Sequence, residues 1–231
     1  MSNQDISMEM QPAAMAPEGV QLALRRLALI SVLAIALGFT MQSLILATKL
    51  VSGGVFPGSL FLVDLAQGVA WSFFVCAGVG IGVSLSKARA ALAGLIAMIF
   101  APIAVAAAKS SQKVMAGLIG AADQPAALSL ATISVLRAVE YGILGWALAS
   151  FARKGVERPL PYFGAGSAVG VLFGGGIAAL SYYAAVTNGL NPGLPKVAST
   201  IVNEVLSPIG CSLVIYFGLV IGRNLKAIYP Q

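Results

Sequence analysis

Long apolar segments separated by short polar ones make up most of this chain. A helix that crosses a bilayer needs about 20 predominantly apolar residues. Six segments meet that length, with ends defined to within several residues: 27–48, 59–84, 90–108, 127–152, 162–186 and 197–222. The pattern predicts an all-α fold, a polytopic membrane bundle of six transmembrane helices arranged as three helical hairpins.

The polar ends of the chain divide it into three regions. Residues 1–24 are predicted to be a mobile cytoplasmic tail, because they lack the basic start and short apolar core of a signal peptide. Residues 25–226 form the predicted six-helix transmembrane domain. Residues 227–231 are a short cytoplasmic C-terminal end.

The basic residues of the loops predict the orientation. Lys49, Lys109, Lys113 and Lys196 lie on one side. The other side carries nine: Arg25, Arg26, Lys87, Arg89, Arg153, Lys154, Arg158, Arg223 and Lys226. The side richer in Lys and Arg faces the cytoplasm as a rule, so both termini are predicted inside, in an inner (plasma) membrane.

Two connections carry further signals. The outer connection Lys109–Pro125 is the longest, and its stretch Lys113–Leu118 fits either a short interfacial helix or an extension of the third span. The inner connection Arg153–Pro161 contains Gly155, Pro159 and Pro161 and cannot be a continuous helix.

Composition supports the membrane assignment and excludes several classes of function. The chain is 58% hydrophobic and 10% charged, with a mean hydropathy of +0.91, whereas soluble domains carry roughly 25% charged residues. The net charge of +6 is explained by the loops, and no basic, aromatic-studded surface indicates a nucleic-acid partner.

Catalytic and metal-binding motifs are missing from the sequence. It contains no histidine, the commonest general base and metal ligand. Cys76 and Cys211 lie within apolar segments, which favours buried free thiols. We therefore expect no enzyme activity, no cofactor and no metal site.

Four charged residues interrupt the apolar segments: Asp64, Arg137, Glu140 and Glu204. A charge at the bilayer centre costs about 2.5–3.5 kcal/mol on insertion scales, so such residues usually have a function. At a rise of about 1.5 Å per residue, Arg137 and Glu140 lie in the outer leaflet, Glu204 near the outer boundary and Asp64 close to water.

The acids occupy equivalent places in three helices. Spans two, four and six each carry one in the outer half: Asp64, Glu140 and Glu204. The pattern fits an internal repeat, as transporters often have. The letters around the three acids match poorly, so chance, combined with the shared requirements of membrane insertion, is the favoured explanation.

Arg137 and Glu140 lie three residues apart and share a helix face. Three interpretations remain open: an intrahelical ion pair, contacts with a partner subunit, or a polar pocket open to the outside. In the pocket, Arg137 would face an anionic group of the substrate, and the acids would face a cation or a proton. Its charge favours a cationic or zwitterionic solute. The candidate binding residues are Asp64, Trp71, Arg137, Glu140, Tyr141, Asn203 and Glu204.

Small residues indicate where helices approach each other closely. Span five carries two overlapping GxxxG motifs at Gly166, Gly170 and Gly174, and span one carries Ala34 and Gly38. Packing within the bundle is favoured for span five, with docking of another protein as the alternative. Span one comes first and is the better candidate for docking. Pro208 is expected to kink span six one turn after Glu204.

The layout resembles the substrate-binding membrane component (S-component) of energy-coupling-factor vitamin transporters. The resemblance lies in six spans with both termini inside, the Ala34/Gly38 face, and Arg137-Ala138-Val139-Glu140 on a helix that ends with Ala152-Arg153-Lys154. It implies vitamin capture from outside and docking through span one onto a membrane coupling subunit driven by ATPases. A stand-alone carrier with Glu140 as proton carrier is the related interpretation.

The sequence thus predicts a transport protein that binds a small solute between spans two, four and six. Its expected partners are the lipid bilayer and a membrane coupling subunit or other membrane complex. The alternative is a non-transporting structural or assembly subunit of a larger membrane complex. A water-accessible cavity at Arg137 and Glu140 would favour transport, and a sealed ion pair would favour the subunit.

Overall fold

The computed structural model describes residues 18–85, 89–122 and 128–228, and the side chains of residues 24–85, 89–122 and 128–221. Most of the predicted tail, Lys87 in the second loop, Pro125 and the last three residues lie outside the described residues. The same is true of the side chains of Arg223 and Lys226.

The described residues are helical and contain no strand. Six helices are long and apolar enough to cross a membrane, which confirms the predicted fold class. They are α1 (Glu18–Val51), α2 (Leu60–Leu85), α3 (Ala90–Leu118), α4 (Leu130–Arg153), α5 (Pro159–Thr187) and α6 (Leu194–Ile228).

The end of helix α3 shows whether Lys113–Leu118 is a separate interfacial helix or an extension of the third span. It runs without interruption to Leu118, so Lys113–Leu118 extends the third span. The extension holds helix formers such as Lys113, Met115 and Ala116, and just before it the Lys109 side chain donates a 2.8 Å hydrogen bond to Gln112 Oε1. It ends where Gly120 takes a φ of +67°, which favours glycine.

Helix α5 begins within the predicted proline-rich break. Its first residue is Pro159, and a proline is tolerated in the first turn because its missing N–H has no helical acceptor there. In the middle of α5, Gly170–Gly174 forms a π-helical segment. The turn is wider there, a feature frequent at functional sites.

Glycine and alanine let the helices approach closely. Ala93, Ala97, Ala101 and Ala104 form a fully buried face of α3. A Cβ added at Gly82 of α2 or at Gly145 of α4 would lie 2.8 or 3.1 Å from the carbonyl oxygen of Ala93. The α3 backbone therefore lies directly against both neighbours, and α1 packs between α2 and α6 with Ile30 covering Gly80 and Gly218.

Large apolar side chains point outward. Val32, Phe39, Ile99, Val171 and Leu172 are each at least half exposed. A surface of this kind suits lipid, since hydrocarbon is the solvent around a membrane bundle. It surrounds a core in which alanine and glycine pack with a few large side chains, such as Tyr141, Leu144 and Tyr162, and which also contains charged side chains.

Candidate functional site

Arg137, Glu140 and Glu204 form one ion-paired cluster, called the charged cluster below. Arg137 Nη1 donates to Glu140 Oε2 at 2.7 Å, one helical turn away on α4. Arg137 Nη2 donates to Glu204 Oε2 on α6. The intrahelical pair expected from the spacing is present, and a second pair joins α4 to α6.

The charged cluster is enclosed by protein. The exposed fractions of Arg137, Glu140 and Glu204 are 4%, 0% and 8%. Glu140 Oε1 is buried and has no hydrogen-bond partner among the described residues. One guanidinium faces two carboxylates, so in its ionised form the cluster carries one uncompensated negative charge. Burying such a charge is unfavourable unless a proton or a cation compensates it.

Helix α2 contributes an aromatic wall. The Trp71 ring lies over the guanidinium, 4.9 Å from Arg137 Cζ to the ring centroid. Trp71 also meets Tyr141 edge-on at 5.5 Å between centroids. A cation over an indole face is stabilised by the ring quadrupole, more strongly when water is absent. Trp71 therefore helps to hold Arg137 between the two acids.

Two further candidates differ in their contacts. Asn203 Nδ2 donates to Glu204 Oε1 at 3.2 Å, so it orients that carboxylate. Tyr141 is fully buried, and its hydroxyl has no partner among the described residues. Helices α2, α4 and α6 thus all contribute to this site.

Asp64 lies apart from the charged cluster. Its carboxylate pairs with Lys49 Nζ at 3.1 Å across the first outer connection, and both side chains are about one-quarter exposed (29% and 25%). Along α2, Asp64 precedes Trp71 by seven residues, roughly 10 Å of helical rise. The structure therefore brings together Trp71, Arg137, Glu140, Asn203 and Glu204, but not Asp64.

Glycines and a proline position Glu204. Pro208 has no N–H, so the carbonyl four residues earlier, that of Glu204, loses its helical donor. A Cβ added at Gly174 would overlap that carbonyl oxygen, and one added at Gly170 would overlap the carbonyl oxygen of Val205. The α5 backbone therefore lies directly against α6 beside the acid, in contacts that only glycine permits.

The predicted docking faces are both used inside the bundle. Ala34 is fully buried, and a Cβ added at Gly38 would lie 2.6 Å from Val69 Cα of α2. Gly166 faces Pro208 and Ile209 of α6. Gly170 and Gly174 face Val205 and Glu204 of the same helix. A partner that docked on the Ala34/Gly38 face would have to displace α2.

Sequence reasoning missed two polar contacts. Lys49 lies in the last turn of α1 and pairs with Asp64, which the short connection between the first two spans could have indicated. Gln42 is buried in α1, and its amide lies over Gly68 of α2. A lone glutamine inside an apolar span is a visible signal, but the sequence does not reveal which helix it faces.

No ligand set for a metal is evident in the described part of the chain. It contains no group of three or more His, Cys, Asp or Glu that could hold a metal ion. Cys76 and Cys211 are free thiols with fully buried side chains. Cavities of about 350 and 220 Å³ are present elsewhere, and neither is lined by a residue of the charged cluster.

No family model, curated protein or solved structure matches the chain. The fold and the site define its class by themselves: a multi-pass helical membrane protein with an enclosed, ion-paired charged cluster among its helices.

Proposed function

We propose that this protein is a membrane transport protein and that the charged cluster is its solute or ion site, in a closed state. The observation that carries the proposal is the uncompensated carboxylate: two buried acids share one arginine. Intramembrane ionisable groups that face the interior of a bundle mark substrate or ion pathways by default.

The excess negative charge of the cluster indicates that the proposed solute carries a positive charge. A small cationic or zwitterionic solute would place its cation at Glu140 and Glu204, and an anionic group would take up Arg137. A proton on Glu140 would compensate the same charge when no solute is bound. Loss of the bound solute or of this proton would make the closed state less stable and favour opening.

The neighbourhood of Glu204 supports a route to opening. The π-helical segment of α5 packs against the backbone of this residue at Gly174, and Pro208 follows it by one turn on α6; both loosen helical hydrogen bonding. Broken helices beside binding sites are a feature of transporters. A small change of bend at this point would separate Glu204 from Arg137.

The resemblance to S-components extends the proposal to a multi-subunit system. In that form the chain would capture its solute from outside and dock on a membrane coupling subunit driven by ATPases. The inner membrane is the proposed location, with the basic ends of the helices in the cytoplasm.

One observation favours a second candidate function. The ion pairs of the charged cluster are sealed, and this is the outcome that favours a structural or assembly subunit of a larger membrane complex over a pocket open to the outside. In such a subunit the cluster would fix the helix arrangement. In that case the charges need no ligand, and the function would reside in a partner protein.

Ligand-induced stabilisation separates the two functions. The purified protein is screened by thermal unfolding against small amines, amino acids and zwitterionic vitamins at several pH values. A ligand at about 100 times its Kd stabilises the folded state by about 2.7 kcal/mol, a clear shift in Tm. We expect E140Q and E204Q to abolish the shift and D64N to retain it, because Asp64 lies outside the charged cluster.

Purification from the native membrane in mild detergent, followed by mass spectrometry, tests the alternative. A co-purified small molecule, or a coupling subunit with ATPases, supports transport. A stoichiometric membrane partner without ATPase motifs, together with no solute that shifts Tm, would reject the transport proposal. Once a solute is known, wild-type uptake by both E140Q and R137M would also reject the site.

A further inference from the structure

A groove on the outer surface of the bundle runs between α3 and α4. Its volume is about 350 Å³, and its main lining residues are Gly94, Leu95, Met98, Gly142, Ile143 and Trp146. The lining is almost entirely apolar. The larger side chains are partly exposed, with Trp146 at 54% and Leu95 at 51%, so the groove opens toward the surrounding lipid.

The floor of the groove is formed by a close helix crossing. A Cβ added at Gly94 would lie 2.8 Å from the carbonyl oxygen of Gly142, and one added at Gly142 would lie 3.0 Å from Met98 Cε. The two backbones approach closely there, while the bulkier side chains stand up on both sides. The lining residues span about two turns of α3, from Ala91 to Met98, and about one turn of α4, from Gly142 to Trp146.

The floor of the groove lies in the half of the bundle next to the basic end. Gly94 and Gly142 are in contact there, five residues after Arg89 and eleven residues before Arg153, so the floor is between roughly 8 and 17 Å from that end. Half of a hydrocarbon core is about 15 Å. An acyl chain that entered from this end would therefore lie along the groove.

A second cavity lies farther along α4, toward the basic end. Its volume is about 220 Å³, and it is lined by Ser150, Arg153 and Lys154 of α4. Gly142, Trp146, Ser150 and Arg153 follow one another at spacings of four, four and three residues, so they share one face of the helix. Ser150 lies one helical turn beyond Trp146, and its Oγ donates to the Trp146 carbonyl at 2.8 Å.

We propose that these two cavities form a binding site for an anionic phospholipid, with an acyl chain in the apolar groove and the phosphate at Arg153, Lys154 and the Ser150 hydroxyl. Charge complementarity and depth identify the occupant. Arg89, exposed at the start of α3, adds a third cation at the same end. Basic pockets beside transmembrane helices bind anionic head groups in this way. The site is independent of the charged cluster and of the transport proposal.

Tryptophan fluorescence tests the site, since Trp71 and Trp146 are the two tryptophans of the chain. In W71F, Trp146 is the single fluorophore. The protein is reconstituted in phosphatidylcholine vesicles that contain increasing fractions of either brominated phosphatidylglycerol or brominated phosphatidylcholine. Bromine quenches tryptophan on contact, so the two titrations compare anionic and zwitterionic lipid at Trp146.

We expect phosphatidylglycerol to be preferred by about fivefold for each basic residue engaged. R153Q/K154Q should lose most of the preference. R25Q/R158Q, which removes the same charge from exposed positions outside both cavities, should keep it. If W71F does not fold, the difference between the native protein and W146F reports Trp146 instead.

Three results would overturn the proposal. Equal quenching by the two lipids would mean ordinary bilayer contact, and an unchanged preference in R153Q/K154Q would place the phosphate elsewhere. No quenching of Trp146 by either lipid would mean that the groove is closed, as it would be under a protein partner or a second copy of the chain.

Discussion

At the scale of single residues, Arg137 decides how the interior is held together. It pairs with an acid on its own helix and an acid on α6, and it lies under an aromatic ring from α2. Three helices are therefore linked through one side chain. Removing one member of a buried ion pair is costly, because the remaining charge stays in a medium that cannot solvate it.

R137M is expected to be the most damaging single change in the charged cluster. It leaves Glu140 and Glu204 facing each other without a counter-ion and should lower the free energy of unfolding by about 3–5 kcal/mol. E204Q should cost much less, because the pair of Arg137 and Glu140 remains. Unfolding in mixed detergent micelles measures both. Equal losses in the two variants would contradict this account of Arg137.

A substitution at Asp64 is expected to affect stability much less than R137M. Its pair with Lys49 is partly exposed, and such pairs contribute about 0–1 kcal/mol. D64N should therefore change the midpoint of unfolding little, and high salt should reduce even that difference. A loss as large as that of R137M would show that Asp64 has a role beyond this pair.

At the scale of helices, the contact between α5 and α6 is specified by glycine. Gly166, Gly170 and Gly174 lie on the face of α5 that meets the α6 backbone, next to the acid and the proline. Neighbouring glycines of α5 differ: a Cβ at Gly175 or Gly176 would meet nothing within 4 Å. The same short segment thus contains both constrained and unconstrained glycines.

G174A is expected to destabilise the protein by about 1–3 kcal/mol, as overpacking does, because the added Cβ would overlap the Glu204 carbonyl. G176A is the matched control. It should be neutral or stabilising by up to about 1 kcal/mol, since alanine is the better helix former. Unfolding midpoints compare the two variants, and equal effects would mean that α5 does not approach α6 this closely.

At the scale of the whole molecule, the bundle has one strongly basic end and one weakly basic end. The predicted orientation places the strongly basic end in the cytoplasm. The described structure fixes which loops share an end, and chemical labelling in cells can establish the side. The native thiols do not interfere, because Cys76 and Cys211 are fully buried.

An impermeant maleimide added to intact cells should label N188C and V55C, which lie in connections of the weakly basic end. It should label K154C only after the membrane is opened. Labelling of K154C in intact cells, with N188C and V55C protected, would reverse the orientation. The lipid site proposed between α3 and α4 would then lie in the outer leaflet.

The sequence alone determined the membrane class and the six helices, because a bilayer requires long apolar segments that satisfy their own backbone hydrogen bonds. It also identified the charged residues, since their cost in lipid makes each one visible. Helix ends were less certain: the polar end of α3 continues as a helix to Leu118, because propagating an existing helix needs no new nucleus.

Only the tertiary structure decided which charges meet. The spacing gave the pair of Arg137 and Glu140, but the partner on α6, the Trp71 ring and the pairing of Asp64 with Lys49 depend on how helices far apart in sequence are rotated and placed side by side. Each span is apolar on nearly every side, so its sequence periodicity does not mark the face that it turns to the interior. Close contacts between small residues, spread over several helices, settle that rotation.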